Sequence, residues 1–121
     1  MSSQKKIIRK NFRGSTMRRD RYRCRCCGKP GKDRQGGDEY LEYHSASLSL
    51  VDLDAHHIQD RNQMPNGGYV KENGISVCDD CHVLAEVFHQ TGEAAEGFSP
   101  EDLFQMIGSS LEEAVAASKR L

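Results

Sequence analysis

The chain has 121 residues, 36% of them hydrophobic, with no tryptophan and a mean hydropathy of −0.72, enough for one domain but not for a large core. The net charge of −1 joins two opposed segments: residues 1–34 hold 13 basic and 2 acidic side chains, a net +11, while residues 35–121 hold 4 basic and 16 acidic, a net −12. No stretch approaches the roughly 18 apolar residues of a membrane span, and no apolar run follows the basic start as in a secretory signal. The expectation is therefore a cytoplasmic protein with no membrane partner, reduced cysteines and a basic block of the kind that grips nucleic acid.

Residues 1–13 are basic and without clear periodicity, which predicts a flexible arm that orders on binding. Ser15 can cap a short helix over residues 16–22. Residues 29–39, rich in Gly, Lys and Asp, read as a loop, and residues 40–51, with loosely alternating Tyr, Leu and Ser, as strand or extended chain. Asp52 to Ile58 (DLDAHHI) reads as a short strand end. Pro65-Asn66-Gly67-Gly68 marks a turn in the polar loop that follows, and Gly74-Ile75-Ser76-Val77 is a second strand able to pair with the first. From Asp79 or Asp80 the period changes: Val83, Leu84, Val87 and Phe88 recur at helical spacing, with Gly92 as the stop. Ser99 and Pro100 open a further helix ending near Gly108. Ser109 with Glu112, or Ser110 with Glu113, offers alternative capping boxes for a last helix to about Lys119. The expected organisation is an α+β chain with a basic arm over 1–13, a central domain over 14–98, and helices over 99–121 packed on it.

Five cysteines fall mainly in two pairs far apart in sequence. Cys24-x-x-Cys27 and Cys78-x-x-Cys81 have the spacing that lets four thiolates reach one tetrahedral Zn²⁺ from two tight turns. Cys26 competes with Cys27 on spacing, but the Cys24/Cys27 pair leaves Gly28 directly after it, where a knuckle turn wants a residue without Cβ; Cys26 is expected to stay free. Such a site is closed: it staples a chain too polar to hold itself together and does no chemistry. The reactive candidates are then the histidines. His56 and His57 are neighbours near a strand end, where successive side chains face opposite ways, so both serve one site only if the backbone bends at the loop that starts at Gln59. His82 follows Cys81 on the helix that the second cysteine pair begins.

Taken together and in this order, Cys24-x-x-Cys27-Gly28, Asp54-Ala55-His56-His57-Ile58 and Glu72-Asn73-Gly-Ile-Ser-Val-Cys78-x-x-Cys81-His82 resemble the HNH endonucleases, specifically the zinc-stapled members with a ββα-metal site in a treble-clef-like core. The resemblance spans about Arg21 to His89. It implies that His57 is the general base activating water, that His56 and His82 hold a catalytic divalent metal such as Mg²⁺, Mn²⁺ or Ni²⁺, and that the Asn73 amide pins the loop that positions the base. It implies hydrolysis of DNA phosphodiester bonds, by nicking or double-strand cleavage, to 5′-phosphate and 3′-hydroxyl ends. An imidazole with an ordinary pKa near ~6.5 is largely neutral at pH 7 and suits the base role.

Where many relatives place another histidine one turn after the closing one, this chain has Glu86, with His89 further along. His82, Glu86 and His89 share one helical face, and Glu86 is a candidate third ligand, one that favours a harder ion such as Mg²⁺ or Mn²⁺. Asp54, two residues from His56, is either an orienting carboxylate for it or an ordinary turn acid. Arg18, Arg19, Arg21, Arg23 and Arg25, at and before the first knuckle, and Arg61, after the His pair, are candidate phosphate contacts; Lys5, Lys6, Arg9, Lys10 and Arg13 extend them along a duplex. Partners expected are DNA, with a homodimer or a larger DNA-processing complex. The competing readings are a non-catalytic zinc-stabilised DNA-binding or assembly module, such as a phage packaging accessory, and a protein-interaction domain that uses the C-terminal helices.

Overall fold

A computed structural model describes residues 3–121. It is a mixed helix and sheet fold: helix α1 (Ser3–Arg19), strand β1 (Gly31–Asp33), strand β2 (Val51–His57), strand β3 (Gly74–Val77) and helix α2 (Asp79–Thr91), followed by helices α3 (Pro100–Met106) and α4 (Leu111–Lys119). The sheet runs β1-β2-β3. β1 is parallel to β2, with Gly31 opposite Val51, and β3 is antiparallel to it, with Asp54 opposite Val77 and His57 opposite Gly74. The β2–β3 ribbon and α2 form the ββα unit expected from the sequence.

All four residues of β3 are buried, because α1 covers one face and α2 packs beside the ribbon. Met17, Leu53, Ile75, Val77, Leu103 and Ala114, all under 2% exposed, come from five different elements and form one core. The C-terminal helices therefore contribute to that core. Ser99 caps α3 through a reciprocal box with Asp102, and of the two alternatives for the last helix Ser110 is the cap, accepting from the Glu113 amide.

Three expectations are corrected. Residues 3–13 do not form a loose arm: they are the first two-thirds of α1, while Met1 and Ser2 lie outside the described residues. The short helix expected over 16–22 is the end of that same helix, which stops at Arg19 as Arg21 and Tyr22 turn to left-handed φ of 55° and 51°. Ser15 is no cap; its hydroxyl donates to the Asn11 carbonyl one turn back. The inward stripe is sparse, since Phe12, Thr16 and Met17 are buried amid exposed cations, and one apolar residue per turn leaves almost no amphipathic signal. The third correction concerns residues 40–51: Glu39–Glu42 is a single 3₁₀ turn, with Tyr40 and Tyr43 on the core by their i, i+3 spacing, and strand begins only at Val51.

Asp20 ties α1 to the sheet. Its carboxylate is fully buried and accepts from Arg19 Nε (2.8 Å) and Nη2 (2.9 Å), from Arg25 Nη1 (3.0 Å) and from the Ser76 amide (2.8 Å). Gly74 lets the helix come close: a Cβ there would lie 2.5 Å from Thr16 Oγ1 and 2.7 Å from Phe12 Cε1.

Candidate metal centres and active site

The chain turns tightly after Cys24, where the Gly28 amide donates to the Cys24 carbonyl (2.7 Å) with Gly28 at φ 82°, a backbone conformation that costs a Cβ-bearing residue energy. Cys78 precedes α2 and Cys81 lies in its first turn. The Sγ atoms of Cys24, Cys27, Cys78 and Cys81 all fall within 4.8 Å of one another, and Cys27 and Cys78 are 3.7 Å apart. Four thiolates at ~2.3 Å from one Zn²⁺ have edges of about 3.8 Å, so the donor set fits that ion. Hydrogen bonds from the Cys26 thiol and from nearby amides hold Cys24 low, at about 3, whereas burial and thiol neighbours push Cys81 up. Cys26 is half-buried, 4.0 Å from Met106 Sδ, and is not one of the four.

The second cluster lies between the end of β2 and α2. His56 is 2% exposed; its Nδ1 is 3.2 Å from Glu86 Oε1, and neither ring nitrogen makes a hydrogen bond. His82 Nε2 lies 3.2 Å from the same carboxylate oxygen. Two imidazoles and a carboxylate whose donor atoms lie within 4.8 Å of one another, with an orphaned buried ring among them, fit a divalent cation. Burial pushes the His56 pKa below its ordinary value, and the His56 ring, outweighing burial, pulls Glu86 down to about 2, so a neutral imidazole at His56 and a carboxylate at Glu86 are favoured near neutral pH. Asp54 pairs with His82. It lies 3.5 Å from His82 Nδ1 and is held by Arg34, whose guanidinium also reaches Asp52 and Asp79.

His57 lines the same cleft, of about 480 Å³, with Ala55, His56, Asp60, Arg61, His82, Glu86, His89 and Gln90. The alternation of β2 would send His56 and His57 apart, but the strand ends at His57 and both residues border the cleft. The His57 ring stacks on Phe12 of α1, with centroids 4.5 Å apart, and meets Tyr69 edge-on at 4.7 Å. Burial, then the neighbouring His56 and Arg61, lower its pKa to about 4. Asn73 is fully buried. Its Oδ1 accepts from the Gln59 amide (2.9 Å), its Nδ2 donates to the Gln59 (3.1 Å) and Gly68 (3.3 Å) carbonyls, and its own carbonyl accepts from the Ile58 amide. The two residues after His57 are thereby clamped. His89 is not in the three-residue cluster; its Nε2 donates to the His57 carbonyl (3.0 Å).

The candidate phosphate contacts divide. Arg19 is spent on Asp20 and on the Lys71 and Gly74 carbonyls, and Arg25 on Asp20 and the Met106 carbonyl; both are internal fasteners. Arg18, Arg21 and Arg23 are exposed, the last donating to the Gly28 carbonyl. Arg61 borders the cleft and donates to the Tyr69 hydroxyl (3.0 Å), while the Arg9 guanidinium sits 5.7 Å from the Tyr69 ring centre. Sequence reasoning missed Phe12 and Tyr69 beside His57 and Arg34 beside Asp54. No local pattern marks them, because each acts on a partner 20 or more residues away, or 12 in the case of Tyr69. A larger cavity, about 630 Å³ and bordered by Phe88, Phe104 and Leu111, has one acid and no histidine or cysteine on its wall.

No curated protein and no solved structure matches the chain. The family model described as HNH endonuclease matches residues 24–86, from the first zinc-type cysteine to the acidic member of the His-His-Glu cluster and across just over half the chain. That span holds β2, β3, the first eight residues of α2 and both clusters, and it points to nuclease chemistry in general. The chain belongs to the HNH endonuclease family.

Proposed function

We propose that this protein is a metal-dependent DNA endonuclease in which His57 is the general base, Asn73 positions it, and His56, His82 and Glu86 hold the divalent cation. The observation that carries the reading is the shared cleft: a neutral, desolvated imidazole on the same wall as a metal-competent donor set. His57 can take a proton from water because it enters the reaction uncharged, and the Asn73 clamp on Ile58 and Gln59 fixes the backbone that carries it. His82 is oriented from behind by Asp54, itself fixed by Arg34, in the manner of a carboxylate supporting a ligating histidine. A divalent cation in that set would supply charge stabilisation to a phosphate oxygen and to the departing 3′ oxygen. The Cys24, Cys27, Cys78 and Cys81 site would hold Zn²⁺ as a staple. The exposed cations of α1 with Arg61 would draw in the DNA backbone and hold it without reading sequence.

The test is conversion of supercoiled plasmid to open or linear forms across Mg²⁺, Mn²⁺ and Ni²⁺, with His57→Ala and His82→Ala as controls. Cleavage by the parent that both substitutions abolish is expected. DNA binding without cleavage under every metal would favour the non-catalytic module instead, and undiminished cleavage by His57→Ala would remove the proposed base.

A further inference from the structure

The catalytic histidine proposed above is held from two sides, by the Asn73 clamp within the family match and by the His89 hydrogen bond just beyond it, both of which act on backbone. Neither fixes the ring. The ring is contacted by two aromatic side chains: Tyr69 edge-on at 4.7 Å and 89°, and Phe12 face-on at 4.5 Å and 29°. Phe12 and Tyr69 also meet edge-to-face at 5.7 Å, so the three rings form one packed set. Phe12 is 3% exposed and lies on α1, entirely outside the matched residues 24–86. Its seat is built: Gly74, opposite His57 in the sheet, has no side chain where the Phe12 ring lies, and a Cβ there would come within 3.0 Å of Phe12 Cζ.

The geometry assigns Phe12 as a positioning residue for His57. Its ring sets the plane of the imidazole, so that the N-terminal helix completes the active site in addition to carrying basic charge. A flat partner stacked at 4.5 Å restricts rotation about the Cβ–Cγ bond of His57, which the backbone clamps leave free, and a base misaimed by about 1 Å loses on the order of 100-fold in rate. A second consequence follows from the helix itself. Arg9 stands one turn before Phe12 and over Tyr69, so DNA that engages the basic face of α1 loads the same helix that orients the base.

The inference rests on the nuclease reading, and its test separates the two. Phe12→Leu and Phe12→Met keep apolar volume but remove the flat face; Ile7→Ala, at an exposed position of the same helix, is the control. Each is assayed for plasmid cleavage beside the parent and His57→Ala, with zinc content and melting temperature measured on the same samples. The expected result is a 10- to 100-fold loss of kcat in both Phe12 variants with KM for DNA and zinc content unchanged, and parental rates for Ile7→Ala. In proton NMR the His57 ring signals, assigned against His57→Ala, should sit upfield in the parent because of the Phe12 ring current and move downfield in Phe12→Leu. Parental kcat in either Phe12 variant, a loss that only tracks the unfolded fraction, or a change confined to KM overturns this inference alone. A parent that cuts no DNA under any metal overturns the nuclease reading with it.

Discussion

Asp20→Ala should be among the most destabilising single changes in the chain that touch no metal ligand. The carboxylate is fully buried and accepts four hydrogen bonds, two from Arg19, one from Arg25 and one from the Ser76 amide. Its loss leaves the Ser76 amide unpaired inside the sheet, at about 1–3 kcal/mol for a buried orphan donor. Arg19 and Arg25 are 21% and 33% exposed, so water recovers part of their loss. A total of about 3–5 kcal/mol follows, the range for breaking a buried ion pair from one side. At roughly 3–5 °C per kcal/mol for a chain of this length, the melting temperature should fall by about 10–20 °C. Asp20→Asn keeps an acceptor for Ser76 but loses the charge, and should fall between the two. The assay is a thermal melt by circular dichroism in zinc-containing buffer, with Asp38→Ala, on an exposed loop, as the reference. An Asp20→Ala melt within about 3 °C of the parent would refute the argument that this carboxylate fastens α1 and the first knuckle to β3.

Other outcomes can be checked on the same material. Cys78→Ser should reduce bound zinc from about one per chain to a trace and leave the chain unfolded, because structural zinc supplies on the order of 10–16 kcal/mol, as much as most domains have in total; a cooperative melt of the metal-free protein would contradict this. Gly74→Ala drives a methyl into Thr16 and Phe12 and should cost on the order of 1–3 kcal/mol in denaturant unfolding. Ser118→Ala removes a buried hydroxyl that accepts from the Gly68 amide (3.0 Å) and donates to the Pro65 carbonyl. Because Gly68 in turn accepts from Asn73, a loss of about 1–2 kcal/mol should come with slower cleavage, and unaltered stability would show that α4 does not brace this turn. Replacing Lys6, Arg9 and Lys10 by Gln should flatten the plot of log affinity against log salt by up to about 2.7, at ~0.9 per phosphate contact. An unchanged slope would place the DNA elsewhere.

The elements legible in the sequence are those whose cause is local. The cysteine pairs, the strands around His56 and Ile75, the helix from Asp79 to Gly92, the cap at Ser99 and, as one of two alternatives, the cap at Ser110 are each set by spacing, by a period or by a turn residue within a few positions. Local patterns also put the residues of both clusters in view: the four cysteines by their paired spacing, and His82 with Glu86 by their place on one helical face. Tertiary structure alone decided where α1 goes and what it does. A helix with a single apolar residue per turn looks like a charged tail until Phe12 finds the space left by Gly74, and only then does its ring meet a histidine 45 positions away. The opposed charges of the two segments were equally plain in the sequence, but not which cations stay available. Two of the candidate arginines are drawn inward by one buried carboxylate at Asp20, because a charge taken out of water must be paired where the fold places it.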